Sequence, residues 1–187
     1  VSSGGVGRRP KRVVKAGEEV KRHQLLAEAD GFVSANRQAP TSGKVIGIVD
    51  VQGAMGMPVP AIQIEADGKD EAAEPMPALD WRCAPVSDLL KRITDCGVVG
   101  MGGAAFPTHV KLSPPPEKEV DTLILNGAEC EPYLTADHRL MLENPGAVLE
   151  GAAISAKLLG VKHIYIGVEV NKVDAHQTQN RNAADTA

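Results

Sequence analysis

The chain has 187 residues, and 43% of them are hydrophobic, which allows one good core or two small ones and argues against disorder. A net charge of −4 and an aromatic content of 3% argue against nucleic-acid binding, and the charge also argues against electrostatic attachment to an anionic membrane. No apolar stretch is long enough to span a bilayer, so direct membrane insertion is not expected.

The three cysteines, Cys83, Cys96 and Cys130, are widely spaced and odd in number. They form neither a disulfide framework nor a Cys-x-x-Cys metal motif, and the histidines show no metal spacing. We therefore predict no metal site in this chain and a reducing, cytoplasmic setting. Cys130 is expected to be a small buried residue rather than a nucleophile, because no histidine stands at a suggestive distance from it.

The first part of the chain alternates short apolar stretches with turn residues from residue 13 to residue 65. Many short strands at such spacing are typical of a small β sandwich or barrel. We predict an all-β domain over residues 13–65. Residues 66–84 are acidic in their first half and contain several prolines, which predicts a linker.

The spacing of the apolar residues changes over residues 85–172, and the new pattern predicts an α/β domain. Residues 85–96 place their apolar side chains on one helical face, and Gly97 follows as a terminator. A short helix is predicted over residues 108–112. A further helix is expected after Thr135, which we interpret as its N-cap.

Two strands are predicted in this domain, a buried one over residues 121–126 and a second over residues 162–168. Pro145 opens a helix between them, and Gly160 closes it. A strand–helix–strand unit with a helical crossover predicts parallel pairing of the strands. The polar residues 173–187 are predicted to be a disordered tail.

Two short runs carry the chemistry. The first is Gly-Met-Gly-Gly-Ala-Ala-Phe-Pro-Thr over residues 100–108, and the second is Asn-Gly-Ala-Glu-Cys-Glu-Pro-Tyr over residues 126–133. Loops at the carboxyl ends of strands are where open α/β sheets hold nucleotides. The pair therefore predicts a flavin or dinucleotide site, where a cofactor rather than a catalytic side chain carries out the chemistry.

Each candidate in the first run has a structural alternative. Gly102 and Gly103, with Gly100 and Ala104 beside them, leave backbone N–H groups free to lie against an isoalloxazine or a phosphate, although they also suit a tight turn. Lys111 lies one turn past residue 108, where its ammonium can meet an FMN phosphate near a helix N-terminus, or simply face solvent.

Three further candidates are an aromatic ring, an amide and a pair of carboxylates. Phe106 either stacks on a nucleotide ring or anchors the core. Asn126, at the end of a strand, either hydrogen-bonds the pyrimidine edge of a flavin or forms a turn. Glu129 and Glu131 have the ordinary alternative of being exposed surface acids.

The first domain resembles the biotinyl and lipoyl carrier domains. The resemblance rests on Val-x-x-Gly-x-x-Val over residues 14–20, on residues 28–33 and on the Ala-Pro-Thr-Ser-Gly segment that begins at Ala39. Phe32 occupies the position of the carrier lysine. Because phenylalanine has no amine to acylate, the domain is expected to be a scaffold rather than a swinging arm.

Residues 13–172 resemble the C subunit of the Rnf electron-transport complex, and the two runs also resemble the flavoprotein subunit of respiratory complex I. The resemblance implies a lipoyl-like barrel-sandwich domain followed by a truncated, Rossmann-like domain that binds FMN and NADH. It also implies that Glu129 and Glu131 face the nicotinamide nucleotide, where they bind ribose or repel the NADPH phosphate.

By the same resemblance, hydride passes from NADH to N5 of FMN and electrons leave toward [4Fe–4S] clusters, coupled to ion translocation. The cluster cysteines of that family are absent here, so the chain alone is not expected to be active. The resemblance places the protein on the cytoplasmic side of the bacterial inner membrane, held there by membrane subunits.

Two alternatives remain open from the sequence. A flavin-dependent cobalamin reductase resembles the same architecture. The chain can also be a scaffold or interaction fragment that binds no flavin.

Overall fold

The computed structural model describes residues 7–53, 56–101 and 104–186. The chain divides into two compact units, of which the first ends at Ser113 and the second begins at Pro114. This division differs from the predicted boundary at residues 66–84. The reason lies in contacts between the all-β domain and residues 85–113, which place both in the first unit.

Two antiparallel sheets build the β domain around one core. Their strand orders are β1-β3-β4 and β2-β5-β6. The strands are β1 (Lys11–Arg12), β2 (Glu19–Val20), β3 (Leu25–Glu28), β4 (Arg37–Gln38), β5 (Gly43–Gln52) and β6 (Pro58–Ala66). Val14, Val20, Leu26, Ala39 and Val45 form the buried core, against which Ile62 and Ile64 pack. The predicted all-β domain is confirmed.

The start of the predicted linker is tied to this domain through Ser42, which is buried. The Ser42 hydroxyl donates to Asp67 Oδ1 at 2.7 Å and accepts from the Glu71 N–H at 2.9 Å. Arg22 then exchanges backbone hydrogen bonds with Glu71 and Ala73, each 2.8 Å long. The segment therefore lies along the domain because a buried hydroxyl and a backbone bridge hold it there.

We expect the stability of the first unit to fall in acid more steeply in the wild type than in Asp67→Asn. The Ser42 hydroxyl, followed by the Lys69 N–H, holds the pKa of Asp67 below its ordinary value of 3.8. A lowered pKa in the folded state stabilises the fold above pH 3.8, and this contribution is lost as the pH falls through the folded-state pKa. The urea concentration at the unfolding midpoint, measured for both proteins between pH 6 and pH 2, gives this loss of stability. The control is Asp50→Asn, because the Asp50 side chain makes no hydrogen bond or ion pair within the described ranges; equal acid sensitivity of the wild type and Asp67→Asn would contradict the prediction.

Helices α1 (Val86–Asp95) and α2 (Thr108–Lys111) flank the glycine-rich run. The end of α1 is bound to the β domain, because Asn36 Nδ2 and Gln38 Nε2 donate to the Asp95 carbonyl at 3.3 and 3.2 Å. Gly97 follows with a φ of +64°, and a Cβ there would lie 2.5 Å from the Asn36 carbonyl oxygen. Only glycine allows this close approach.

The second unit contains two strands and three helices. They are β7 (Thr122–Asn126), α3 (Ala136–Glu143), α4 (Pro145–Leu159), β8 (His163–Gly167) and α5 (Val173–Thr186). Strands β7 and β8 pair in parallel, and Asn126 lies opposite Gly167. Helix α4 ends at Gly160, whose φ of +69° closes it. The predicted parallel strand–helix–strand unit is confirmed, but β7, predicted to be a buried strand, is half-buried to exposed along its length.

Helix α5 occupies the region that the sequence predicts to be a disordered tail. Ala175 is completely buried, and the buried Gln179 donates through Nε2 to the Met141 carbonyl at 2.8 Å. His138 Nε2 lies 2.9 Å from Asp174 Oδ1, which joins α3 to the start of α5. The structure therefore differs from the expectation, because a few contacts to α3 fix a helix whose composition is mostly polar.

Candidate functional site

The glycine-rich run forms a loop that is closed at its base by backbone hydrogen bonds. Gly100 N–H donates to the Phe106 carbonyl at 2.8 Å, and Thr108 N–H donates to the Val98 carbonyl at 3.1 Å. Met101 and Ala104 are exposed. Gly102 and Gly103, both predicted site residues, lie outside the described residues. The described part of the run is thus an exposed loop on a narrow, hydrogen-bonded base.

The Lys111 ammonium lies at this base. A Cβ built on Gly100 would be 2.9 Å from Lys111 Nζ, so the missing side chain leaves room for the cation against the backbone. Lys111 is exposed and makes no ion pair with any residue in the described ranges. Helix α2 spans only Thr108–Lys111, one turn, so its dipole adds little. The positive charge of this loop therefore comes from the lysine rather than from the helix N-terminus.

Phe106 is half-buried, and its carbonyl is one of the two acceptors that close the loop. It thus has a structural role through its backbone. The side chain keeps part of its surface open to solvent, so stacking on a ligand remains a prediction.

Asn126 ends β7 and is exposed. Its Oδ1 accepts a hydrogen bond from the Ala128 N–H at 3.0 Å, which is the turn-forming role that the sequence left open. Its Nδ2 makes no hydrogen bond with a residue that the structure describes. The turn therefore uses the amide oxygen of Asn126, while the two N–H donors of its Nδ2 stay available to a ligand.

The two acidic side chains of the second run do different things. Glu129 accepts hydrogen bonds from the first turn of α3, through Oε1 from Asp137 N–H at 2.8 Å and through Oε2 from His138 N–H at 3.3 Å. Glu131 is exposed, and its carboxylate makes no hydrogen bond or ion pair within the described part of the chain. Glu129 thus caps a helix, whereas Glu131 remains free to meet a ligand.

Two sequence expectations for this loop are wrong. Thr135 holds the N-cap position of α3 but makes no side-chain capping hydrogen bond, because Glu129 supplies it from eight residues before Asp137. No capping motif has that spacing, so the sequence carried no signal for it. Cys130, expected to be buried, is exposed, as are Cys83 and Cys96.

The neighbouring Tyr133 is fully exposed and has a φ of +65°. A left-handed conformation in a bulky residue costs about 1–3 kcal/mol and is concentrated at ligand-binding sites. No sequence pattern singled out this residue.

We expect Glu129→Ala to destabilise the second unit by about 1 kcal/mol, because α3 loses its capping carboxylate. Glu129→Gln keeps an acceptor oxygen and is expected to lose less than half as much. Glu131→Ala is the control and should change the unfolding free energy by less than about 0.5 kcal/mol. Urea unfolding and amide exchange at Asp137 and His138 measure these effects. An equal loss in the two alanine variants would show that Glu129 does not cap α3.

The structure assigns the predicted site residues to two units. Gly100, Ala104, Phe106 and Lys111 belong to the first, and Asn126, Glu129 and Glu131 belong to the second. Among the described residues, no three metal-ligating side chains come together. No helix within the described ranges is long and apolar enough to cross a bilayer.

Comparison with protein families matches both parts of the chain. Residues 3–69 match the RnfC barrel sandwich hybrid domain, and residues 93–187 match the Nuo51 FMN-binding domain. The chain belongs to the RnfC family. The second match contains both the glycine-rich loop and the loop that carries Asn126 and Glu131.

Named RnfC relatives are similar over almost the whole chain. The C subunit of the proton-translocating ferredoxin:NAD(+) oxidoreductase complex of Clostridium ljungdahlii is 51% identical over 90% of this chain and 37% of its own length. Its Na(+)-translocating counterpart from Acetobacterium woodii is 45% identical over 87% of this chain and 37% of its own length. The C subunit of the ion-translocating oxidoreductase complex of Rhodobacter capsulatus is 42% identical over 94% of this chain and 34% of its own length. The chain therefore spans little more than a third of these relatives.

Proposed function

We propose that this chain is the FMN- and NADH-binding part of the C subunit of an ion-translocating ferredoxin:NAD-type oxidoreductase complex. The observation that carries the proposal is the Lys111 ammonium against Gly100, at the base of an exposed loop within the segment that matches an FMN-binding domain. The named functions of the relatives support the same proposal.

The residues of the first unit fit the phosphate of FMN. A phosphate dianion needs a cation and backbone donors, and Lys111 supplies a cation that no described acid neutralises. Gly100 leaves room for the Lys111 ammonium beside the backbone, since a Cβ there would lie 2.9 Å from Lys111 Nζ. We assign Lys111 to the phosphate and the backbone of Gly100, Gly102, Gly103 and Ala104 to the flavin.

The residues of the second unit fit the polar edges of the nucleotides. The Nδ2 donors of Asn126 suit a carbonyl of the flavin pyrimidine, because Oδ1 is already engaged by Ala128. The free carboxylate of Glu131 suits a ribose hydroxyl and repels the extra phosphate of NADPH. We also propose that the strand–helix–strand unit is part of a Rossmann-like domain and that Phe106 stacks on a nucleotide ring.

Bound FMN would exchange a hydride with the nicotinamide nucleotide and pass electrons on singly. The chain's own side chains bind and orient, and no acid or base is required of them. The three cysteines show no Cys-x-x-Cys spacing, so we assign no cluster ligand to this chain. Association with the cytoplasmic face of the membrane would come through partner subunits.

Titration with FMN, followed by quenching of flavin fluorescence, tests the proposal. We expect saturable quenching with the wild type and its loss in Gly103→Trp, which introduces a bulky side chain into the glycine-rich run. Gly151→Trp is the matched control, because Gly151 lies on α4 and a Cβ there would have open space within 4 Å. A concentration of about 0.5 mM FMN would reveal even a weak dissociation constant. Absence of binding at that concentration would overturn the proposal and favour a scaffold. With binding established, anaerobic bleaching of the flavin by NADH but not by NADPH tests the nucleotide assignment.

A further inference from the structure

We propose that the β domain is a rigid seat for the glycine-rich loop, and that His109 is the positioning residue that joins them. The seat is the segment of residues 31–38, which includes the position where carrier domains bear their lysine. This inference rests on the proposed binding of FMN, because it concerns how the loop that holds the phosphate is kept in place.

His109 makes the contact on the C-terminal side of the loop. It is a buried residue of α2, and its Nε2 lies 2.8 Å from the Phe32 carbonyl oxygen. The Phe32 ring also meets the imidazole edge-on, with centroids 5.8 Å apart and an interplanar angle of 82°. The residue that replaces the carrier lysine is therefore held through both its backbone and its ring.

The chemistry of this contact fixes the state of the imidazole. A carbonyl oxygen only accepts hydrogen bonds, so Nε2 must carry the proton and donate it. Nδ1 is buried and has no partner among the described residues. His109 is therefore suited to a fixed structural donation through Nε2.

Only a few residues of chain separate the His109 contact from the glycine-rich loop. Helix α2 has a single turn, so its own backbone hydrogen bonds define its orientation poorly. Ser113 Oγ also donates to the His109 carbonyl at 2.8 Å. His109 follows Thr108, which closes the loop, and precedes by two residues Lys111, whose ammonium lies at Gly100. Holding His109 thus holds the cation at the base of the loop.

The N-terminal side of the loop is attached to the same segment. Asn36 and Gln38 donate to the Asp95 carbonyl at the end of α1, and Gly97 packs against the Asn36 carbonyl. The described loop begins directly after Gly97. Residues 31–38 therefore hold both ends of the loop, which explains why residues 85–113 fold into one unit with the β domain.

The test measures FMN affinity and amide exchange of residues 98–107 in the full chain. His109→Leu removes the donor, and we expect it to weaken FMN binding about tenfold and to speed exchange in the loop without ligand. His109→Gln keeps a donor nitrogen and is expected to restore most of the affinity. Val14→Ala removes packing in the core of the β domain, so it is expected to lower the melting temperature and leave the FMN affinity unchanged.

A second variant covers the case in which His109→Leu fails to fold. Gln38→Ala removes a donor to the Asp95 carbonyl on the other side of the loop, and we expect faster exchange at residues 98–101 and about threefold weaker FMN binding. Unchanged affinity and exchange in the folded variants would overturn the proposal. If the wild type itself binds no FMN, the proposed function fails, while the exchange data without ligand still decide whether the seat exists.

Discussion

Gly43→Ala is expected to destabilise the first unit by about 3 kcal/mol or more, which is enough to unfold many small domains. Gly43 begins β5, with a φ of +151°, and a Cβ there would lie 2.0 Å from the Glu65 carbonyl oxygen and 2.9 Å from Ala66 Cα. Both atoms belong to the backbone of the neighbouring strand β6, so a side-chain movement cannot relieve the clash. The pairing of Gly43 with Ala66 would have to open.

Gly47→Ala is the matched control for this prediction. Gly47 lies in the same strand, and a Cβ there would meet no heavy atom within 4 Å. We expect this variant to change the unfolding free energy by less than about 0.5 kcal/mol. Urea unfolding of both variants makes the comparison. Equal stabilities would show that Gly43 is not held against β6 as the structure has it.

Lys111→Met is expected to weaken FMN binding about 10- to 100-fold, because a charge-assisted contact to the phosphate is lost while the length of the side chain is kept. The prediction follows from the position of Lys111 Nζ at Gly100 and from the absence of an acid to neutralise it in the described part of the chain. Fluorescence titration gives the dissociation constants. The effect should shrink at high salt, since the contact is exposed.

Riboflavin provides the ligand control, because it lacks the phosphate. Its affinity should be the same for the wild type and Lys111→Met. Lys15→Met provides the protein control, since Lys15 is an exposed lysine of the same unit whose ammonium makes no ion pair in the described ranges. A loss of riboflavin affinity equal to that of FMN would show that Lys111 supports the loop rather than binding phosphate.

The sequence predicts which loops form the candidate site but does not resolve the roles of their residues. The two runs identified the loops, and both lie within the matched FMN-binding segment. The sequence could not show that Glu129 is committed to α3 while Glu131 is free, because the two acids stand in the same short run. It also gave His109 no role, although His109 contacts the Phe32 carbonyl in the β domain.

Local chemistry by itself determined most of the secondary structure elements, with the exception of α5, and the parallel pairing of β7 with β8. Pro145 and Gly160 delimit α4, because proline suits a first helical turn and glycine accepts a left-handed φ. The short strands of the β domain follow from alternation and turn residues in the same way. These signals act over a few neighbouring residues, so they can be read from one chain.

Tertiary structure alone decided the end of the first unit at Ser113, the helix α5 and the exposure of Cys130. Each depends on which distant segments meet. Ala175 is buried only because α5 lies against other helices of its unit, and the glycine-rich loop joins the β domain through Asn36, Gln38 and Phe32. Contacts between residues tens of positions apart leave no periodic trace in the sequence, which is why the composition of residues 173–187 pointed to disorder where the packed chain forms a helix.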